Sequence, residues 1–265
     1  MRILLAGKYV PTGSRPIGGV QSWIKAVADE LRRRWHEVTL WGPEFGAPAG
    51  EYDLGIMANF CETAAAFPLC RRTLLVSHGI IAPEKPEGAD AYAFTSEGVR
   101  AHWGGTGPVV RQPIDLRFWS REHYENAGTL LRYSYRAGLP FLPSVAAGLG
   151  LRFEHLRNAT HEQAREAIHR AACVIATGRA ALEAMACGAP VVICDHRSAY
   201  QGALYDPDTL GAMERNYSGR GGIEPTVENI AAAVKAAIAH GSLRRHVEEH
   251  HDATRVVDQL LEAAC

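Results

Sequence analysis

The sequence predicts an α/β fold made of two consecutive Rossmann-like lobes, and three observations predict it. Short, continuously apolar runs such as Ile3–Leu4–Leu5–Ala6 and Cys173–Val174–Ile175–Ala176 have the character of strands buried on both faces. Between such runs lie segments whose apolar residues recur at helical spacing. This alternation occurs twice, in blocks of similar size on either side of a charged, aromatic stretch, LRFWSREHYENAG, from Leu116 to Gly128.

The first block opens on a strand from Arg2 to Ala6, followed by a loop rich in Gly and Pro from Gly7 to Gly19. Val20, Trp23, Ile24, Val27, Ala28 and Leu31 then form one apolar stripe. Arg32, Arg33 and Arg34 close that helix, where positive charge offsets the negative end of the helix dipole. Val38 to Trp41 gives the next strand, so the chain reads strand, helix, strand, the start of a parallel sheet. Further strands are expected at Leu54 to Ala58, Thr73 to Ser77, Ala91 to Thr95 and Val109 to Arg111, with a helix over Ser96 to Trp103.

In the second block, strands are expected at Thr129 to Tyr135, Phe153 to Leu156, Cys173 to Ala176 and Val191 to Cys194. Helices are expected over Glu162 to Ala172, Ala180 to Cys187 and Thr226 to His240, the last with Pro225 before it. One amphipathic helix from about Leu243 to Leu261 closes the chain. The expected domains are residues 1–120, residues 128–242, and a C-terminal helix over residues 243–265 that returns to the first lobe.

Composition narrows the class. With 28 Lys and Arg against 29 Asp and Glu, the net charge is −1, without the basic excess that a nucleic-acid binder usually carries. The cysteines (Cys61, Cys70, Cys173, Cys187, Cys194, Cys265) contain no C-x-x-C pair and read as reduced, packed thiols. The apolar start is too short for a signal peptide, and no apolar run reaches the ~18 residues that a membrane span needs. A cytoplasmic location is expected.

The chemistry concentrates at Thr177-Gly178-Arg179-Ala180-Ala181-Leu182-Glu183. A buried strand ends in Thr-Gly and passes at once into a helix. In a parallel sheet this turn lies at the carboxyl end of the strands, where ligands bind. Small residues let a ligand approach the backbone, and helix-start N–H groups attract phosphate. Glu183, a turn further on, has a carboxylate suited to the hydroxyls of a ribose. Together these describe a nucleotide site.

Glu183 also opens EAMACGAPVV, Glu183 to Val192, which resembles the motif of the group 1 (family 4) glycosyltransferases. GGVQSWIKAVADELRRRWHEVTLW (Gly18 to Trp41), TSEGVRAHW (Thr95 to Trp103) and RQPIDLRFW (Arg111 to Trp119) are similar to other stretches of that family in the same order. The resemblance implies the GT-B fold, two Rossmann-like lobes with an interlobe cleft, the donor in the second and the acceptor in the first. It implies a hexosyl- or pentosyltransferase using a nucleotide-diphosphate sugar as co-substrate. No cofactor is expected, and the transfer is expected to be metal-independent and retaining. The acceptor, a saccharide, a lipid-linked group or another molecule, stays open.

By the same resemblance Glu183 holds the nucleotide ribose, and Gly18 and Gly19 face the donor phosphates and sugar. His78 stands where the family often has a donor-contacting histidine, which makes it the catalytic candidate. The family's earlier Glu, eight positions before Glu183, is replaced by Ile175. Its Lys is also missing, since no Lys lies between Lys85 and Lys235. Arg136 is then the expected phosphate-binding cation, with Arg132 in reserve and Arg179 adding charge through its planar fork. These departures leave two alternatives, a GT-B sugar-nucleotide epimerase or hydrolase and a non-catalytic nucleotide-binding partner protein.

Three weaker signals remain. His246-Val247-Glu248-Glu249-His250 spells the inverted zinc-protease pattern, but near the end of the chain it reads as a run of partly exposed helix residues, together with His251. Asp206-Pro207-Asp208, the one Asp-x-Asp, reads as a turn rather than a metal clamp. Arg32-Arg33-Arg34-Trp35 would allow peripheral contact with an anionic membrane, or simply ends a helix.

Overall fold

The computed structural model describes the chain except residues 9, 12–17, 47, 59–60, 135–138, 196–198, 204–207, 220–221 and 223. It divides into two compact units, Met1–Asp115 with His251–Cys265, and Leu116–His250.

The first unit is a five-stranded parallel sheet in the order β2-β1-β3-β4-β5. Its strands are β1 (Arg2–Gly7), β2 (Glu37–Trp41), β3 (Leu54–Ala58), β4 (Thr73–Ser77) and β5 (Ala91–Phe94). The period of two along each strand sends alternate side chains to opposite faces. Ile3, Leu5, Ile56, Leu74 and Val76 meet one helical layer, while Leu4, Met57 and Leu75 meet Trp41, Tyr52 and Ala66 on the other face. That is why these runs are continuously apolar rather than alternating. Helix α1 (Gly19–Arg33) buries Trp23, Ile24, Val27, Ala28 and Leu31 against the first face. Helix α2 (Glu97–Trp103) starts on Ser96, whose hydroxyl accepts from the Val99 N–H at 3.2 Å.

The second unit repeats the plan. Strands β6 (Thr129–Tyr133), β7 (Arg152–Leu156), β8 (Ala171–Ala176), β9 (Val191–Asp195) and β10 (Ala199–Ala203) form a sheet in the order β10-β9-β8-β6-β7. β10 alone is antiparallel. Helices α3 (Leu142–Gly148), α4 (His161–His169), α5 (Arg179–Ala186), α6 (Asp208–Glu214), α7 (Val227–His240) and α8 (Arg244–His250) complete it. Leu130, Cys173, Ile175, Val192 and Cys194 pack under α3 and α7. In both units the first strand lies between the second and the third, so the strand order reverses there. This reversal is the topological switch point at which open α/β sheets bind ligands.

Four expectations change. Val109 to Arg111 is not a strand. Prolines at 108 and 113 each lack an N–H donor, and only a parallel bridge from Phe94 to Val109 forms. The closing helix is two helices, α8 in the second unit and α9 (Ala253–Ala263) in the first. They part at His251 and Asp252, where the Asp252 carboxylate caps α9 through the Thr254 N–H at 2.9 Å. Helices α3 and α6 and strand β10 were not expected at all. His246 and His251 are buried rather than partly exposed: His246 shares a 2.6 Å hydrogen bond with the Tyr217 hydroxyl, and His251 Nδ1 bonds the Gln112 carbonyl at 2.9 Å.

The arginines that end α1 act within the first unit. Arg33 and Arg34 both bind the buried Glu30 carboxylate, at 2.7 and 3.0 Å. Arg33 also reaches Asp115 at 3.1 Å. Arg34 reaches α9 through Asp258 at 2.5 Å and the Thr254 carbonyl at 2.6 Å. Burial alone would raise Glu30, but the hydrogen bonds from Arg33 and Arg34 outweigh it and hold the carboxyl below its ordinary range. This network joins the apolar contacts of Val256, Val257 and Leu260 in seating α9 on α1. Among the described residues, no helix is long and apolar enough to cross a membrane.

Candidate functional site

The switch point of the second unit lies between β6 and β8. Tyr133 ends β6, and Thr177 and Gly178 follow β8 before α5. Gly178 has φ 58° and ψ −133°, a region that only glycine enters without strain. Its N–H donates to the Tyr217 carbonyl at 2.8 Å, which fixes the turn from which α5 departs. Tyr217 itself holds a positive φ of 52° and is anchored at the other end by its hydroxyl on His246.

From this turn α5 carries Arg179 and Glu183 on one face, a turn apart. Arg179 is 7% exposed and Glu183 2%. The Arg179 Nε donates to Glu183 Oε1 at 3.0 Å, and the Tyr133 hydroxyl donates to Glu183 Oε2 at 3.1 Å. Glu183 is therefore oriented from both oxygens, by its own helix and by the neighbouring strand. Burial pushes the Glu183 carboxyl up, against the opposing pull of Arg179 and Tyr133. Burial, and then the adjacent carboxylate, holds the Tyr133 hydroxyl well above its ordinary value. Cys187, at the far end of α5, is raised to about 12 by burial and by Glu183. It is a packed thiol, not a nucleophile.

Chemically, the arrangement offers a carboxylate with lone pairs beyond the two in use, a guanidinium and a helix start, all beside a glycine turn. That set can take ribose hydroxyls and phosphate oxygens. Thr177, Gly178, Arg179 and Glu183 are thus brought together. Sequence reasoning missed Tyr133 and Tyr217. Tyr133 lies 50 positions from Glu183, a tertiary contact without a local signal. The Arg179–Glu183 spacing of i,i+4 was legible, but not its burial. Arg132, the reserve cation, is turned inward, with Nη1 on the Cys194 carbonyl at 3.0 Å. Arg136 lies outside the described residues, as do Asp206 and Pro207.

The remaining candidates lie in the first unit, at the carboxyl edge of its sheet. Gly18 precedes α1, and its N–H donates to the Gln21 side chain at 2.7 Å. A Cβ on Gly19 would meet nothing within 4 Å, so no described neighbour requires the glycine and its face is open to an approaching group. His78 follows β4, buried, with its ring edge-to-face on Trp23 of α1 at 4.9 Å.

Two α/β units with the same strand order, each with candidate residues at its carboxyl edge, make up the GT-B fold. Solved structures of that fold match this chain over nearly its whole length. AviGT4, a glycosyltransferase involved in avilamycin A biosynthesis, matches with a TM-score of 0.66 at 16% identity, over 99% of this chain and 96% of that one. Sucrose-phosphate synthase from Thermosynechococcus elongatus matches with a TM-score of 0.59 at 12% identity, over 99% and 98%. An alpha-glucosyltransferase solved with UDP-glucose and DNA containing an abasic site gives 0.55 at 10% identity, over 99% and 98%. At such identities the likeness is one of fold. No protein-family model matches the sequence, and no curated protein matches it.

Proposed function

We propose that this protein is a glycosyltransferase that takes a hexose or pentose from a nucleotide-diphosphate sugar, a reading supported by the resemblance of its EAMACGAPVV motif to that of the family 4 enzymes. The observation that carries the proposal is the Tyr133–Glu183–Arg179 cluster beside the Gly178 turn, at the switch point of the second sheet. In this account Glu183, oriented by Tyr133, accepts the ribose hydroxyls. Arg179 and the start of α5 take the diphosphate and stabilise the charge that develops on the leaving group. Gly18, Gly19 and His78 serve the sugar and the acceptor, and the transfer retains configuration. The acceptor is a hydroxyl compound of unassigned class.

Leaving-group stabilisation by an arginine and a helix start needs no divalent ion, so activity is expected to persist in excess chelator. Strict dependence on added magnesium or manganese would refute that part of the account. The direct test is release of free nucleoside diphosphate from a panel of nucleotide sugars, with and without saccharide and lipid-linked acceptors. Acceptor-dependent release supports transfer, whereas acceptor-independent conversion supports an epimerase or hydrolase. One observation favours a second reading: both Glu183 oxygens are already engaged by the protein, as in a partner protein that keeps the fold and binds nucleotide without turnover. Binding with no turnover of any donor would support it.

A further inference from the structure

Away from the Gly178 turn, the second unit has a cavity of about 780 Å³ lined by Leu116, Arg117, Ser120, Arg121, Glu122 and Arg244. Three guanidiniums gather here beside one carboxylate, in a chain whose net charge is −1. General basicity does not put them there.

Arg244 is held rigidly. Its Nε donates to Glu248 at 2.7 Å, and its Nη1 donates to the carbonyls of Trp119, at 3.0 Å, and of Ala186. Of the five guanidinium N–H donors, the two on Nη2 have no acceptor among the described residues. Arg121 lays its stem over Gly188, where a Cβ would stand 3.0 Å from the arginine's Cγ and Cδ. Gly188 has φ 87°, and the chain turns there directly under that stem. The Arg121 guanidinium makes no hydrogen bond or ion pair among the described residues, and Glu122 pairs with none of the three arginines there. The negative end of the α5 dipole accounts for Arg244, which reaches the Ala186 carbonyl. It does not account for Arg121, which reaches no described carbonyl.

We propose that this cavity binds the phosphate group of a second ligand, separate from the donor nucleotide. Arg121 and the Nη2 of Arg244 supply forked donors to the phosphate oxygens. Arg117 adds charge, and the Ser120 hydroxyl lies in the same lining. The site adjoins the end of α5 remote from Gly178, about 12 Å along the eight-residue helix. A phosphate there leaves the nucleotide turn unoccupied. The phosphate can belong to a soluble phosphorylated compound or to a lipid headgroup.

The test is calorimetric titration of the full chain with inorganic pyrophosphate in the presence of saturating UDP, which occupies the nucleotide turn, and, separately, with UDP alone. Arg121→Met keeps the stem over Gly188 and removes the charge; Arg121→Lys restores a charge without the fork. Pyrophosphate affinity is expected to fall about tenfold or more in Arg121→Met, to fall further with Arg117→Met added, and to recover in part in Arg121→Lys. UDP affinity is expected to stay at the wild-type value in all three. Unchanged pyrophosphate affinity in the double variant, or no wild-type binding, overturns the proposal. Failure of UDP to bind the wild type would instead overturn the nucleotide site and leave this one standing. Co-sedimentation with phosphatidate vesicles that is lost in the double variant assigns a lipid headgroup. Pyrophosphate binding without co-sedimentation assigns a soluble ligand.

Discussion

Replacing Glu183 by Ala takes an ion-pair partner away from a buried cation. Arg179 is 7% exposed, and its Nε bonds the carboxylate at 3.0 Å. Removing one partner of a buried ion pair costs about 3–5 kcal/mol. The Tyr133 hydroxyl also loses its acceptor. Removing both charges behaves differently: Arg179→Met with Glu183→Leu fills similar volume and is expected to be near neutral, or stabilising by about 1–4 kcal/mol. The direction of the Glu183 shift is consistent with this, since burial outweighs both stabilising partners. A carboxyl whose folded value is raised contributes stability that is full below its unfolded value. That contribution is lost as pH climbs through the folded value. The parent should therefore lose stability relative to the double variant as pH rises above about 4.5. Urea unfolding of the parent, both single variants and the double variant from pH 4 to pH 8 measures all of this. A loss under about 1 kcal/mol for Glu183→Ala, or no pH-dependent difference from the double variant, would refute the buried pair.

Two further outcomes are expected. Gly178→Ala forces a Cβ into φ 58°, ψ −133°, which should cost about 1–3 kcal/mol and weaken nucleotide binding; equal stability and affinity by denaturation and calorimetry would count against the turn. Arg34→Met removes the tie from Glu30 to Asp258 and Thr254; amide exchange in α9 should accelerate, with a loss of about 1–3 kcal/mol. Glu30 sits below its ordinary value of 4.5, so its contribution is present above that value and is lost as pH falls through the lowered one. The stability gap between parent and Arg34→Met should therefore narrow as pH falls through Glu30's lowered value, and a gap that keeps its neutral-pH size throughout the acid range in which the protein stays folded would contradict the network.

The sheet strands were legible because strands covered on both faces must be continuously apolar, and β3 and β4 run where the apolar runs do. Helix α3, LPSVAAG, is too short to display a period, and it forms by packing Leu142, Val145 and Ala146 under α7. The break between α8 and α9 went unseen because Val247, Val256 and Leu260 keep an apolar rhythm across it, although Asp252 is the residue type that starts a helix. At the candidate site, the strand–turn–helix was readable from Ala176 to Glu183. The partners that orient it were not, since Tyr133 and Tyr217 reach it only through the fold. The i,i+4 Arg179–Glu183 pair shows on the sequence, but burial turns a surface contact worth a fraction of a kcal/mol into one that governs the site.

A nucleotide held at the turn before α5 is measured by calorimetry with UDP and UDP-glucose on the parent and on Tyr133→Phe. That variant keeps the ring and removes only the hydroxyl on Glu183 Oε2. The parent is expected to bind, and Tyr133→Phe to bind about tenfold or more weakly. The variant is also expected to discriminate less between ribose and 2′-deoxyribose forms. Equal affinity and equal ribose preference in the two proteins would contradict a ribose-binding role for Glu183.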